Sequence, residues 1–320
     1  MVFPIRPQEN QHWSGASGLR WLLPSDRTEM KTVVDLGILI LTIALMFSVG
    51  LELEARHFKE LIRNKGAFLG ALIGQMVALP VIGILIVRAI PLPEYLGVGI
   101  LLVAACPVGD IANFYTVMAR GNVALSVAVN ALSCLLSVAS MSVVFSAYAR
   151  MMGAEFALSV PSFGFVGRLI LLVAVPIVLG MGLRASHAGM ANMVSGSLRV
   201  LCVGGVLVLC MFVIANKYEQ LKADWKAIWI ASFCLMAVAM AVGWAIGQIM
   251  RLKRSDSITF AILYPVRNIA IATTIAVTLL GRLEYAAFAT AYFLSEASLL
   301  LAVVVFFRYV WPVPPLPHSA

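Results

Sequence analysis

Two ionisable residues occupy matching positions in two long apolar segments, and they are the first candidates for chemistry. Residues 105–113 read ACPVGDIAN and residues 263–271 read LYPVRNIAI, so the pattern Pro-Val-x-x-Ile-Ala occurs in both; the first copy carries Asp110 and the second carries Arg267. Proline lacks a backbone N–H and breaks a helix, so each segment predicts a helix that is interrupted near its centre. A charged side chain at the centre of a membrane span costs roughly 2.5–3.5 kcal/mol on insertion scales, and such a residue marks a functional site.

The composition predicts the protein class. Of 320 residues, 62% are hydrophobic and 12% are charged, and the mean hydropathy is +0.97. A soluble domain carries about 25% charged residues. The apolar segments are about 20 residues long, which fits membrane-spanning helices and not the shorter alternating strands of a barrel. We therefore predict an all-α polytopic protein whose partner is the lipid bilayer.

The net charge of +8 does not indicate nucleic-acid binding. The basic residues lie in loops between apolar segments, where cations typically flank a membrane. We expect no nucleic-acid partner. The sequence leaves the oligomeric state open and is compatible with a monomer.

About nine spans are predicted. A polar tail (1–31) precedes them, a short tail (311–320) follows them, and a single transmembrane domain covers 32–310. In chain order the spans are 32–50, 66–89, 94–117, 121–149, 165–184, 196–216, 226–250, 256–280 and 284–308.

The spans contain an internal duplication. Residues 66–149 and 226–308 form two matching blocks of three helices, each with the broken helix in the middle. The spans between the two blocks change the side from which the second block is entered, so the repeats are predicted to be inverted. Paired broken helices in two halves of a membrane protein indicate the binding site of a transporter.

The distribution of Lys and Arg predicts the orientation in the cell inner membrane. Eleven of these residues fall on the side of the C-terminus and seven in the loops of the other side, before the four of the N-terminal tail are counted. The excess favours a cytoplasmic C-terminus and an N-terminus outside.

No catalytic or metal-binding constellation is present in the sequence. The five cysteines lie in apolar segments without paired spacing, and the four histidines lie in tails and loops. No phosphate-binding glycine loop and no nucleophile–base order is found. We expect neither enzymatic activity nor a metal site.

Two motifs carry a resemblance to a known family. Cys106-Pro107-Val108-Gly109-x-x-x-Asn113, followed by Ala119-Arg120-Gly121-Asn122-Val123-Ala124-Leu125-Ser126, resembles the C-P-G-G-x-x-S-N and A-R-G-N-x-A-L-S signature of the bile acid:sodium symporter family. The similarity extends from about Leu36 to the last span. It implies alternating access between a core (66–149 and 226–308), in which the two broken helices cross, and a panel (32–50 and 165–216).

The chain departs from this family at the positions that the resemblance assigns to sodium. One site of the family uses a Ser, an Asn, a Ser, a Thr and a Glu, and the corresponding residues here are Ala112, Asn113, Ser126, Asn130 and Leu263. The second site uses a Gln, kept as Gln75, the same Glu, and a Gln that is replaced by Arg267. Both sites lose their shared carboxylate. We therefore expect no cofactor, sodium included.

A guanidinium supplies fixed charge and five donors. Our hypothesis is that Arg267 replaces a sodium ion structurally and that Asp110 is its counter-ion. The pair could be a static salt bridge, or it could open when substrate binds. Glu296 is a third charge within a span, and it could carry a proton or stay neutral while bonded to a neighbouring helix.

The predicted function is secondary transport of an organic anion, either a bile acid-like steroid or a small carboxylate such as pantoate. The candidate substrate site contains Asp110, Ile111, Ala112, Asn113, Arg267, Asn268 and Glu296. Sodium- or proton-coupled symport with a rearranged ion site remains an alternative. An arsenite-type efflux permease that uses Cys106 and a non-transporting receptor are two further alternatives.

Overall fold

The computed structural model describes residues 27–54, 59, 61–152 and 163–310. In these residues the regular structure is helical, apart from one isolated β-bridge. The helices are α1 (Arg27–Glu52), α2 (Lys65–Ala89), α3 (Glu94–Ala105), α4 (Ile111–Met118), α5 (Val123–Met152), α6 (163–186), α7 (Ala188–Ala223), α8 (Trp225–Ile249), α9 (Arg254–Leu263), α10 (Ile269–Leu279) and α11 (Leu283–Val310). The chain divides after Gly37, and all contacts reported below lie within Ile38–Ala320.

Seven of the described helices are long and apolar enough to cross a membrane by themselves: α1, α2, α5, α6, α7, α8 and α11. The other two predicted spans are divided, one into α3 and α4 and the other into α9 and α10. The predicted all-α membrane fold is confirmed, and both interruptions occur at the Pro-Val-x-x-Ile-Ala segments.

Two helices extend beyond the predicted spans. Helix α1 begins at Arg27, although the part of it that could cross a membrane begins at Thr32, the predicted start of the first span; the rest of the predicted tail and residues 311–320 lie outside the described residues. Helix α6 is followed by α7 after His187 alone, although the sequence predicted a longer loop. Helix α7 is kinked at Lys217, whose φ of −121° and ψ of 19° are not helical.

The two breaks satisfy each other's backbone groups. Val108 and Arg267 form an antiparallel bridge. The N–H of Gly109 donates to the carbonyl of Val266 at 3.2 Å, and the N–H of Asn268 donates to the carbonyl of Pro107 at 2.9 Å. Within a bilayer, non-helical backbone is tolerated only where protein supplies such partners. The breaks therefore depend on each other.

The crossing requires close backbone contact. A Cβ added at Gly109 would lie 2.9 Å from the carbonyl oxygen of Arg267, so a side chain at this position would force the breaks apart. The order long helix, broken helix, long helix occurs in α2–α5 and again in α8–α11. The antiparallel bridge between the two breaks agrees with the inverted relation predicted for these blocks.

Candidate functional site

The guanidinium of Arg267 is buried against three oxygen acceptors. Its Nε donates to the carbonyl of Val103, its Nη1 to Oε1 of Gln75 and its Nη2 to the carbonyl of Ala104, each at 3.2 Å. The residue is 3% exposed. Its charge lies at the C-terminal end of α3, where the helix dipole and unpaired carbonyls favour a cation.

Pro107 makes two of these oxygens available. In an unbroken helix the N–H groups of residues 107 and 108 would donate to the carbonyls of Val103 and Ala104. Pro107 has no N–H, and the N–H of Val108 donates instead to Oγ of Ser133 on α5 at 3.0 Å. The break in one repeat thus creates the acceptors for the arginine of the other.

Gln75 connects α2 to both breaks. Its Nε2 donates to the carbonyl of Cys106 at 3.1 Å, and its Oε1 accepts from Arg267. Gln75 lies in a widened π-helical turn, Gly74–Ala78, shortly before Pro80. Such turns redirect side chains and recur at functional sites.

Asp110 does not form the predicted ion pair with Arg267. Its Oδ1 accepts from Nδ2 of Asn130 at 3.0 Å. Of the ion pairs formed between described residues, none includes Asp110 or Arg267. The counter-ion hypothesis was therefore wrong, because the freed carbonyls of α3 and Gln75 receive the guanidinium instead.

Glu296 on α11 lies behind the second break. It is 1% exposed, and its Oε2 accepts from the backbone N–H of Arg267 at 3.4 Å. One turn earlier, the hydroxyl of Tyr292 donates to the carbonyl of Pro265 at 2.5 Å. Helix α11 thus satisfies a donor and an acceptor of the second break.

Two positions of the family's first ion site, Asn113 and Ser126, are hydrogen-bonded to each other. Oγ of Ser126 donates to Oδ1 of Asn113 at 2.6 Å, and the hydroxyl of Thr116 donates to Oγ of Ser126 at 3.3 Å. Leu263, at the position of the family's shared carboxylate, is fully buried and supplies no side-chain oxygen. The side chain of Ala112 supplies none either.

A cavity of about 310 Å³ lies beside the crossing. Four predicted site residues line it: Asp110, Ile111, Arg267 and Asn268. Ala112, Asn113 and Glu296 are not among its lining residues, although they lie on α4 and α11 close to the breaks. The cavity also contacts α1 and α7 through Ser48, Cys202 and several apolar side chains.

Arg199, which the sequence did not indicate as a site residue, also lines this cavity, from α7. Its side chain is half exposed and forms an ion pair with Glu52 at the end of α1. Only the position of α7 against α1 and the breaks shows that Arg199 belongs to the cavity, so no local motif could have identified it.

The A-R-G-N motif connects the two repeats. The backbone N–H of Asn122 donates to Oγ1 of Thr259 at 2.8 Å, and its Nδ2 donates to Oδ1 of Asp256 at 2.9 Å. Both partners belong to α9. Arg120 adopts a left-handed conformation with a φ of 58°, which ends α4 and directs Asn122 toward α9.

Comparisons with known proteins agree with this arrangement. The chain is 25% identical over 232 residues to a protein of Bacillus subtilis named "Uncharacterized sodium-dependent transporter YocS". The aligned residues cover 72% of this chain and 71% of that protein. It is 26% identical over 261 residues to "Probable sodium/metabolite cotransporter BASS1, chloroplastic" of Arabidopsis thaliana, covering 81% of this chain and 61% of that protein. It is 25% identical over 232 residues to "Sodium/bile acid cotransporter 4" of Rattus norvegicus, covering 72% of this chain and 53% of that protein.

The chain thus spans less than two thirds of the length of the plant and rat relatives. The model of the Sodium Bile acid symporter family matches residues 39–224, which is more than half of the chain and includes α2, the first break and α5. This match shows that the chain belongs to the sodium bile acid symporter family.

Proposed function

We propose that this protein is a secondary transporter that moves a small organic anion by alternating access and does not require sodium. Family membership and the cavity beside the crossing support transport. The observation that carries the sodium-independent part is the guanidinium of Arg267, which donates to Gln75, Val103 and Ala104.

These three oxygens are the kind of ligand that a hard cation such as sodium would use. The guanidinium already occupies them and cannot be deprotonated in proteins. A sodium ion about 4 Å from this charge would be repelled by about 4 kcal/mol at an effective dielectric constant of 20. Arg267 therefore supplies permanently the positive charge that a bound ion would supply transiently.

The cavity favours an anion with a small apolar body. The N-terminal ends of α4 and α10 both begin at residues that line it, Ile111 and Ile269, and half-helix dipoles favour negative charge there. Its volume of about 310 Å³ is at the small end of the range of about 300–1,000 Å³ that is usual for ligand pockets. A small carboxylate such as pantoate fits this volume better than a bile acid-like steroid.

The helices that meet at the cavity support alternating access. Its lining comes from α1 and α7 on one side and from both breaks on the other. The first pair belongs to the proposed panel and the breaks belong to the proposed core. A movement of one group against the other would open the cavity to one membrane face and then to the other.

The proposal is tested by uptake of labelled pantoate and taurocholate into proteoliposomes under a sodium, a potassium or a pH gradient. We expect pantoate uptake at the same rate in sodium and potassium, and little taurocholate uptake. A strict sodium requirement would contradict the role of Arg267. Failure of both probes under every gradient would contradict organic-anion transport.

Restoring the family's residues should restore the ion response. We expect the double substitution Arg267→Gln with Leu263→Glu to make pantoate uptake depend on sodium, because it removes the fixed charge and returns the shared carboxylate. The matched control is Leu263→Glu alone, which should stay insensitive to sodium because the guanidinium remains. Equal behaviour of the two variants would refute the replacement.

Sodium-coupled transport is the second candidate, and one observation favours it. Asn113 and Ser126 lie within hydrogen-bond distance at the family's first ion site. An ion could bind there if a third oxygen replaced the missing carboxylate. In that case Asn113→Ala would abolish a sodium dependence already present in the unmodified protein.

A further inference from the structure

Asp110 brings a negative charge into the cavity without a cationic partner. The residue lines the cavity, and its Oδ1 accepts from Asn130. An amide donor satisfies part of the carboxylate but does not neutralise it. None of the ion pairs between described residues includes Asp110.

The cations closest to the cavity are already engaged elsewhere. The guanidinium of Arg267 is directed to Gln75 and to the C-terminal end of α3. Arg199 is paired with Glu52. Asp110 immediately precedes α4, so the dipole of that helix offsets part of its charge. With no sodium in the proposed function, no cation among the described residues neutralises the rest, and a charge left without a cation at membrane depth is costly.

We infer that the transported carboxylate also carries a protonated amine, and that Asp110 is the residue that recognises this amine. The inference rests on the proposed function and specifies its preferred substrate class as amino carboxylates, so pantoate, a hydroxy acid without an amine, is expected to be carried more slowly than leucine. The substrate supplies the cation that Asp110 lacks. Its carboxylate group is held at the positive end of α10, whose first residue lines the same cavity, because Asp110 occupies the N-terminus of α4.

The rest of the cavity suits such a substrate. Around the two polar ends lie apolar side chains from five helices: Leu45, Phe114, Val203, Val206, Ile269 and Phe293. These leave room for an apolar side chain between a negative and a positive end. Arg199, half exposed at the cavity, offers a second contact for the carboxylate group if it leaves Glu52.

Asp110 is a better recognition residue than the other buried acid near the breaks. Glu296 is 1% exposed, lies outside the cavity lining and accepts from the backbone of Arg267. A substrate amine in the cavity can approach Asp110 but not Glu296. Selectivity for the amine should therefore depend on Asp110 alone.

The test compares two probes that differ only in the group facing Asp110: labelled leucine and its 2-hydroxy analogue, in proteoliposomes with potassium as the only alkali cation. We expect the unmodified protein to take up leucine at least tenfold faster, because a site built for a charged donor rejects an analogue that lacks it. Equal uptake, or faster uptake of the hydroxy acid, would overturn the inference while leaving organic-anion transport intact. No uptake of either probe or of pantoate would overturn both.

Variants assign the selectivity to the residue. Asp110→Asn should reduce the ratio of leucine to hydroxy-acid uptake to about one, whereas Asp110→Glu should keep a ratio well above one because the carboxylate remains. Glu52→Gln is the matched control. It removes the carboxylate that pairs with Arg199 and should leave the ratio unchanged. A preserved ratio in Asp110→Asn would refute the assignment. If that variant does not fold, loss of the ratio in Asp110→Glu would refute it instead.

Discussion

At the scale of single residues, Arg267 depends on oxygen atoms that another residue releases. Pro107 removes the N–H that would have closed the last turn of α3, and Ser133 takes the N–H of Val108. The carbonyls of Val103 and Ala104 are then open to the guanidinium. Hydrogen bonds to a charged group contribute about 1.5–3 kcal/mol each, so this arrangement holds the crossing firmly.

The contact between Gln75 and Arg267 can be tested by Gln75→Leu, which keeps the volume and removes both polar atoms. The substitution leaves one donor of the buried guanidinium without its acceptor, and we expect a loss of about 1–3 kcal/mol in stability. The measurement is the thermal unfolding midpoint of the detergent-solubilised protein.

The control for this variant is Gln248→Leu on α8, where an exposed glutamine donates to Ser257. Substitutions of this kind on a surface usually change stability by less than about 0.5 kcal/mol. Equal midpoints for the two variants would show that the bond between Gln75 and Arg267 is not important for stability.

At the scale of elements, the broken helices are held by the unbroken ones next to them. Helix α5 supplies Ser133 to the first break, and α11 supplies Tyr292 and Glu296 to the second. Helix α2 contacts the second broken span through the hydroxyl of Tyr264, which donates to the carbonyl of Gly70 at 2.7 Å. The two broken spans are therefore held by three unbroken helices, α2, α5 and α11.

The packing of α2 on Tyr264 requires Gly74. A Cβ at this position would overlap the Tyr264 hydroxyl, so Gly74→Ala should displace the ring and with it the end of α9. Overpacking of this kind costs about 1–3 kcal/mol. We expect a lower unfolding midpoint and loss of pantoate uptake.

Gly204→Ala on α7 is the matched control, because a Cβ at Gly204 would meet no atom within 4 Å. This variant should be as stable as the unmodified protein or more stable, since alanine favours a helix over glycine by about 1 kcal/mol. If Gly74→Ala behaved in the same way, the contact with Tyr264 would not restrain the second break.

At the scale of the whole molecule, the cavity lies where α1 and α7 meet the crossing of the two repeats. The breaks contribute Asp110, Arg267 and Asn268 to its lining, and most of the remaining lining residues are apolar. A rigid crossing beside a separate pair of helices is the arrangement that alternating access needs, because the site keeps its geometry while the helices around it move.

Two valines on α7 allow this arrangement to be tested. Val203 lines the cavity, whereas Val200 lies on a different exposed surface of the same helix; they are 54% and 75% exposed. After replacement of the five native cysteines, Val203→Cys should react with a water-soluble maleimide and be protected by pantoate. Val200→Cys should face lipid, react slowly and show no protection. Equal rates or equal protection would contradict a water-filled cavity at α7.

The membrane class, the positions of the spans and both interruptions could be predicted from the sequence. These features depend on hydropathy and on proline, whose effects are local. The repeated Pro-Val-x-x-Ile-Ala segment also identified Arg267 and Asp110 as candidate site residues, and the resemblance to the family identified Gln75. The sodium-independent function that we infer from these residues stays a proposal until transport is measured.

The partners of these residues could not be predicted, because they depend on how separate helices meet. Opposite charges at matching breaks suggested an ion pair, yet the guanidinium binds the carbonyls that Pro107 leaves open, and Asp110 binds Asn130. A sequence shows which side chains carry charge but not which backbone oxygens lose their donors and face a neighbouring helix. The tertiary structure alone decided that Arg267 belongs to the core of the crossing and Asp110 to its cavity.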